Sequence, residues 1–397
     1  MPLVLLLLGL AVFAQGTSEF MLAGLIPDIS RDLQVSIPAA GALTSAFAVG
    51  MVVGAPLMAL LGMRWSQRRA LLTFLVVFLL VHVVGALATD YAVLLATRLV
   101  AAPAYAGFLA VALATAAGLV PPGARGRAAS VLLGGVTLAC VVGVPGGALL
   151  GRIWGWRAVF WAVALLSLPA VAAIVKWVPE STPDRASGAR RAQLRALRRT
   201  PGLGTLLLLS ALVNGATFCT FTYLAPLITE VGGIGPDRVP AVLALFGAGS
   251  LIGVTVAGRY ADTHSPALLR VCGAALLAGW IVLAVSAGNP VAALVLVLVQ
   301  GALSFAVGSV LVSRVLHTAS GAPDLAGASA TTAFNAGAAV GPWLGGAAIT
   351  AEAGYRAPVW VSAGLVAAAG AVALAAGLRA LRRRGKPLGP GREGSVQ

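Results

Sequence analysis

Apolar segments, each about as long as a bilayer is thick, follow one another along this chain and leave few folds open. They recur at about 3–26, 38–61, 70–89, 92–119, 128–151, 157–178, 203–229, 239–257, 266–287, 290–316, 325–350 and 357–381. About 20 such residues in helical form span the hydrocarbon core. The chain is 59% hydrophobic and only 10% charged, against about 25% charged residues in soluble domains. The expectation is an all-α membrane protein with twelve transmembrane helices.

Formal net charge is +15, a balance that in a soluble chain would suggest nucleic acid. Its placement argues otherwise. With both termini on one side, that side holds Arg64, Arg68, Arg69, Arg125, Arg127, the cluster from Lys176 to Arg199, Arg259, Arg270 and the tail from Arg379 to Arg392, which is 20 of the 27 basic residues. Cytoplasmic loops are the ones enriched in Lys and Arg, so the protein is expected in the cytoplasmic membrane with both termini on the cytoplasmic side, and with no nucleic-acid partner. The basic tail would rest on anionic headgroups at about 1 kcal/mol per residue. Met1 to Gln15 is apolar like a signal peptide but lacks a basic leader, so it is read as part of the first helix. Three cysteines, Cys140, Cys219 and Cys272, lie in or beside apolar runs, and an odd buried count argues against a disulfide framework. No zinc-type spacing, catalytic Ser/His/Asp set or phosphate loop is present, so neither an enzyme nor a metal or cofactor site is expected.

Glu19 is the one acid inside an apolar run; the other eleven Asp and Glu fit loops or helix ends. A carboxylate at membrane depth is expensive and by default marks a proton or ion pathway. The energy source expected here is a proton gradient acting at this residue.

Residues 199 apart match repeatedly: Gly16 with Gly215, Pro27 with Pro226, Phe47 with Phe246, Gly50 with Gly249 and Gly54 with Gly253. An offset of 201 pairs Gly107 with Gly308, Pro122 with Pro323 and Gly126 with Gly327. Internal repeats set the architecture, and these divide the chain into a six-helix half at 1–178, a cytoplasmic linker at 179–201, a second six-helix half at 202–381 and a basic tail at 382–397. Parallel six-helix repeats with a midplane site between them describe the major facilitator architecture.

The fifth run carries Gly143, Pro145, Gly146, Gly147 and Gly151, followed by Trp154-Gly155-Trp156-Arg157. Small residues every fourth position allow close helix approach, and proline permits a bend. The eleventh run repeats the idea in Gly341-Pro342-Trp343-Leu344-Gly345-Gly346. These glycines are expected to shape the fifth helix where the halves meet.

The fifth-run pattern resembles the antiporter motif of the twelve-helix drug:proton exporters in the major facilitator superfamily. Arg98, in Leu95-Ala96-Thr97-Arg98-Leu99, resembles that family's fourth-helix arginine, with Ala102 where a glycine is common. Arg64, Arg68 and Arg69 resemble its basic inner loop, with Met63 at the family's Asp; the second-half copy keeps Arg259 and Asp262. Gly16 to Leu25, Leu43 to Pro56, Gly107-Phe108 and Val299-Gln300-Gly301 are similar to actinobacterial chloramphenicol-resistance exporters.

The resemblance implies that the first and fourth helices face one cavity, so that Arg98 works with Glu19, both on the order of 10 Å below the outer surface at 1.5 Å per residue. It implies a drug cavity drawing on Phe20, Tyr105, Phe108, Asn214, Phe218, Thr222, Tyr223, Gln300, Phe305 and Asn335, and inner gates at Arg64, Arg68, Arg69, Arg259 and Asp262. Phe218 stands where the repeat would place a second acid, which suits a neutral amphipathic drug such as chloramphenicol. The alternative is a sugar or metabolite exporter of the arabinose-efflux type. The expected partners are the drug, protons and lipid, with the protein acting as a monomer.

Overall fold

The computed structural model describes residues 3–61, 65–180, 197 and 200–384. Every long element in it is a helix: α1 (Leu3–Phe20), α2 (Leu22–Asp32), α3 (Ile37–Leu61), α4 (Gln67–Leu87), α5 (Tyr91–Gly118), α6 (Arg125–Leu138), α7 (Val144–Trp154), α8 (Trp156–Trp177), α9 (Leu203–Thr222), α10 (Val239–Ser286), α11 (Pro290–Thr318), α12 (Pro323–Ala348) and α13 (Ala357–Arg384). Arg64, most of the linker and the end of the basic tail lie outside the described residues.

Capping residues set several starts. The Asp90 carboxylate accepts from the backbone N–H of Ala92 at 2.7 Å and opens α5. Asn289 does the same for α11, accepting from Val291 at 3.0 Å, with Pro290 in the first helical position, where its missing N–H costs nothing. Gly155, at φ +81°, turns α7 sharply into α8, a conformation that excludes a Cβ at little cost only for glycine.

Three of the predicted spans are interrupted. The first is α1 followed by α2, joined at Met21, and it runs past its apolar stretch to Asp32. The fifth is α6 and α7 joined by a π-helical turn at Ala139–Gly143. Pro145 follows that turn; it has no N–H to return to the preceding turn, and wide turns absorb such a gap. The seventh breaks at Tyr223, after α9, into a short helix at Leu224–Pro226 and a π-helical turn at Leu227–Val231. The eighth and ninth runs, 239–257 and 266–287, are hydrogen-bonded as one helical element, α10, with Pro266 inside it.

Eleven helices among the described residues are long and apolar enough to cross a membrane. The 26-residue α12 is not among them. Its Gly, Ala and Thr content is spent on helix contacts: a Cβ on Gly337 or Gly341 would collide with backbone at Ala211 or Gly215 of α9. In lipid such close approach, rather than the hydrophobic effect, holds helices together.

Within the first six spans, one core gathers Phe47, Phe78, Tyr105, Trp156 and Phe160, and another Leu5, Leu8, Phe74, Phe108 and Ile174. Beyond residue 200 the core gathers Phe221, Phe246, Trp280, Leu283 and Leu311, and α2 and α7 reach it through Ala23 and Ala148. The two sets of helices also touch along α3 and α12, where Ala48, Phe218 and Ala338 pack together.

Candidate functional site

The polar heart of the molecule lies where α1 breaks. Ser18, Arg98 and His82 are each at most 1% exposed. Arg98 comes in from α5 and gives two hydrogen bonds to one residue: Nη1 to the Ser18 hydroxyl at 2.8 Å and Nη2 to the Ser18 carbonyl at 2.6 Å. The guanidinium lies over the Phe47 ring, 4.4 Å from its centre, a cation–π contact that strengthens as water leaves. Its Nε has no partner.

His82, from α4, completes the cluster. One ring nitrogen, Nδ1, is 2.7 Å from the Phe78 carbonyl and therefore carries the proton. Nε2 is left as an acceptor, and the Ser18 hydroxyl donates to it at 2.6 Å. Phe78 and Phe160 flank the ring at 4.1 and 5.7 Å.

Glu19 is the next residue on α1. It is half-buried and takes part in none of the ion pairs among the described residues. Arg98 is thus adjacent to it along α1 but is held by its neighbour. Arg98 donates to Ser18 of α1, and Ser18 in turn to His82; the sequence singled out neither Ser18 nor His82.

The proposed cavity residues separate into groups. Phe20 and Phe218 face each other across α1 and α9, with ring centres 5.7 Å apart. From Phe218 the rings continue to Phe221 at 6.3 Å, Phe246 at 4.7 Å and Phe305 at 6.2 Å. Phe221 and Phe246 were not singled out from the sequence as cavity residues, although Phe246 is the repeat partner of Phe47. Tyr105 is buried beside Phe47. The structure places Phe108 elsewhere, fully buried in the packed core with Phe74, Leu5 and Leu8; an aromatic ring on an apolar helix meets neighbours more readily than a cavity.

Most of the polar candidates are engaged. Asn214 donates to the Phe334 carbonyl at 2.7 Å and ties α9 to α12. Asn335 donates to Thr331 within its own helix at 3.0 Å. The Tyr223 hydroxyl donates to the Pro342 carbonyl at 3.0 Å, and a Cβ on Gly41 or Gly346 would run into it. Gln300 donates to the Leu276 carbonyl at 3.1 Å. Its Oε1 and the indole N–H of Trp280 are both unpartnered and share a small pocket with Phe221, Phe246 and Val297. Thr222 Oγ1 is buried without a partner.

The glycine stripe has a different partner from the one expected. Gly143, Gly147 and Gly151 approach Thr17, Met21 and Leu25 of the first span, residue against residue at a spacing of four. They line the contact between the first and fifth spans, not the contact between halves. Neighbouring positions of the fifth span make the latter: Gly247 of α10 lies against Cys140 and Val141, while Gly24 of the first span meets both Ala148 and, from α10, Leu243. A small-residue stripe states that some helix comes close without saying which. Gly146 has open space around it, and Pro145 stands at the start of α7.

Toward the end that the charge bias marks as outer, a cleft of about 930 Å³ is lined by Asp28, Arg31, Asp32, Arg152, Glu230 and Asp237, among others. Arg152 of α7 pairs with Asp237 before α10, which joins the two sets of helices there. Arg157 pairs with Asp32, which also accepts from the Trp156 indole at 3.0 Å. These two donors, Arg157 first, hold the Asp32 carboxyl below the ordinary carboxylate range. At the other end Arg68 is half-buried, Arg69 and Arg259 are exposed, and the Asp262 side chain lies outside the described residues, as does Arg64.

Known proteins share this fold. The Major Facilitator Superfamily model matches residues 8–330. A chloramphenicol resistance protein of Streptomyces lividans is 54% identical over 93% of this chain and 95% of its own length. The inner membrane transport protein YdhP of Escherichia coli K12 is 38% identical over 88% of this chain and 90% of its own. Among solved structures, a bacterial homologue of the human lysosomal transporter Spinster, in an inward-facing and occupied conformation, superposes with a TM-score of 0.75 over 97% of this chain and 98% of its own; at 16% identity this is a likeness of fold. Long apolar helices, paired glycine contacts and near full-length relatives named as transport and resistance proteins lead to one assignment: the chain is a multi-pass membrane protein and belongs to the Major Facilitator Superfamily.

Proposed function

We propose that the protein exports a neutral amphipathic antibiotic, chloramphenicol first among candidates, across the cytoplasmic membrane in exchange for protons taken up at Glu19. The observation that carries the reading is the state of Glu19: a membrane-depth carboxyl in no ion pair, next to a residue that holds a buried arginine. A carboxyl not locked in a close ion pair can gain and lose a proton during a cycle. The run of rings from Phe20 to Phe305 supports an apolar cargo, since small-molecule sites are mostly apolar with few polar groups. The identity of the cargo is supported by the Streptomyces relative. Termini in the cytoplasm follow from the basic-residue bias. The working unit is one chain, since a single chain carries both sets of helices.

In proteoliposomes, an inward proton gradient is expected to drive chloramphenicol outward, and Glu19→Gln to stop it. For neutral cargo and one proton, net charge moves inward, so an inside-negative potential at equal pH adds about 2.3 kcal/mol per 100 mV. Export that follows a pH gradient yet ignores potential would overturn the neutral-drug, single-proton reading.

A further inference from the structure

His82 is unused by the scheme above, yet it is among the most deeply buried polar side chains. We propose that His82 is a positioning residue for proton coupling: through Ser18 it keeps Arg98 on neutral oxygens and off Glu19 until the Glu19 proton leaves. The proposal rests on the reading of Glu19 as the coupling acid.

The argument starts from hydrogen-bond bookkeeping. A serine hydroxyl has one proton to give and two lone pairs. Here the proton goes to His82 Nε2 at 2.6 Å, which leaves a lone pair aimed at Arg98 Nη1 at 2.8 Å. The chain of donors therefore runs from Arg98 to Ser18, from Ser18 to His82, and from His82 Nδ1 to the Phe78 carbonyl. Without an acceptor at Nε2, the hydroxyl would turn to a carbonyl of its own helix, as buried serines do. Its orientation toward Arg98 would then no longer be fixed. A second proton on the ring would make Nε2 a donor and set two cations on one hydroxyl.

Arg98 is meanwhile held incompletely. It has two hydrogen bonds to neutral oxygens, one ring face, and an Nε with no partner. Hydrogen bonds to an ionised carboxylate are roughly twice as strong as those to neutral acceptors. A charged Glu19, one residue away, would compete for this guanidinium; a protonated one would not. The Arg98–Ser18 geometry is assigned to the state in which Glu19 is neutral. Other titratable groups on the elements packed around the site are Tyr105 on α5 and Cys140 in the turn after α6, while α8 faces His82 with Phe160.

The cycle follows. With Glu19 protonated, Arg98 rests on Ser18. When the proton leaves, Arg98 moves to the carboxylate and releases the Ser18 carbonyl, which lies three residues before the Met21 junction. His82 stays in place and keeps the Ser18 hydroxyl oriented, so that Ser18 takes Arg98 back on reprotonation.

The test uses the full chain in proteoliposomes with chloramphenicol as probe, measuring proton-driven export and gradient-free drug exchange for each variant. His82→Leu is expected to lower proton-driven export at least about tenfold, a typical coupling between sites, and to leave exchange within about threefold. His82→Gln, whose Oε1 can accept from Ser18, is expected to restore most of the coupling. Wild-type coupling in His82→Leu would overturn the proposal. Equal loss of both modes in the Leu and Gln variants, with lowered melting temperature, would also overturn it and assign His82 to packing. Glu19→Gln is the separating control: if it still exports on a proton gradient, the Glu19 reading fails first. If it is inactive while His82→Leu is normal, only the positioning role fails.

Discussion

The contact between the first and fifth spans and the contact between α9 and α12 are built on one plan and put to different use. In the first, Gly143, Gly147 and Gly151 meet Thr17, Met21 and Leu25. In the second, Gly337, Gly341 and Gly345 meet Ala211, Gly215 and Cys219, again at a spacing of four. The first contact borders Ser18, Glu19, His82 and Arg98. At an offset of 199 the second half offers Thr217, Phe218, Ile281 and Val297. Thr217 bonds to the Val213 carbonyl of its own helix, and Phe218 packs toward Phe20 and Phe221. The repeat supplies two packing frames of the same spacing; Arg98 and Glu19 border one, and the other presents rings. A neutral cargo touching the apolar frame and a proton handled in the charged frame can therefore be served by different residues.

The largest expected effect sets the two repeat positions against each other. Glu19→Gln should reduce proton-driven export at least about 100-fold, the scale of a lost proton-transfer group. Phe218→Leu at the matching position should leave proton coupling intact and change drug affinity only. Equal loss of coupling in both would erase the division of labour.

Next is Arg98→Lys. A lysine ammonium cannot reproduce the two-pronged grip on the Ser18 hydroxyl and carbonyl, so about a tenfold fall in proton-driven export is expected, equivalent to roughly 1.4 kcal/mol. Unchanged export would show that charge alone suffices there.

The glycine frames can be compared directly by thermal unfolding in detergent. A Cβ on Gly341 meets the Gly215 backbone, which cannot step aside, so Gly341→Ala should destabilise by about 1–3 kcal/mol. Gly147→Ala meets a Val159 methyl at 3.3 Å, and should cost less. Gly146→Ala has open space and should be silent. A reversed order would mean that the two frames are not packed as described.

Smallest is the bridge between the two sets of helices. Arg152 and Asp237 are partly exposed, and such pairs contribute about 0–1 kcal/mol. Arg152→Ala should change export by less than threefold at ordinary salt, roughly the factor that 0.6 kcal/mol supplies. A larger loss, restored by exchanging the two charges, would give that pair a gating role.

Much of the fold was legible because the bilayer imposes so strict a length on apolar helices. What the sequence did not reveal was direction. The Gly143 stripe announced a close neighbour, but only the structure shows it to be the first span. Phe20, Phe218 and Phe305 were legible as aromatic residues and join one run of rings, while Phe108 has the same credentials and lies in a packed core. His82 had a usable signal: it is an ionisable group inside the third apolar run, subject to the rule that singled out Glu19. Counting histidines only as metal ligands hid it. Ser18 had no signal, since a hydroxyl within a helix is ordinary until an arginine points at it.

The modest apolarity of α12 has a consequence for how the protein is made. A helix enters the bilayer from the insertion machinery according to its own hydrophobicity, and this one, rich in glycine and alanine, is not among the helices apolar enough to cross unaided. Its partners α3 and α9 precede it in the chain and accept it by contact with Ala48, Ala211 and Gly215. Synthesis order therefore delivers the recipients before the guest, and α12 enters a groove rather than lipid. Placing α12 ahead of α9 by circular permutation should strand it outside the membrane, although every residue of the finished bundle would be present.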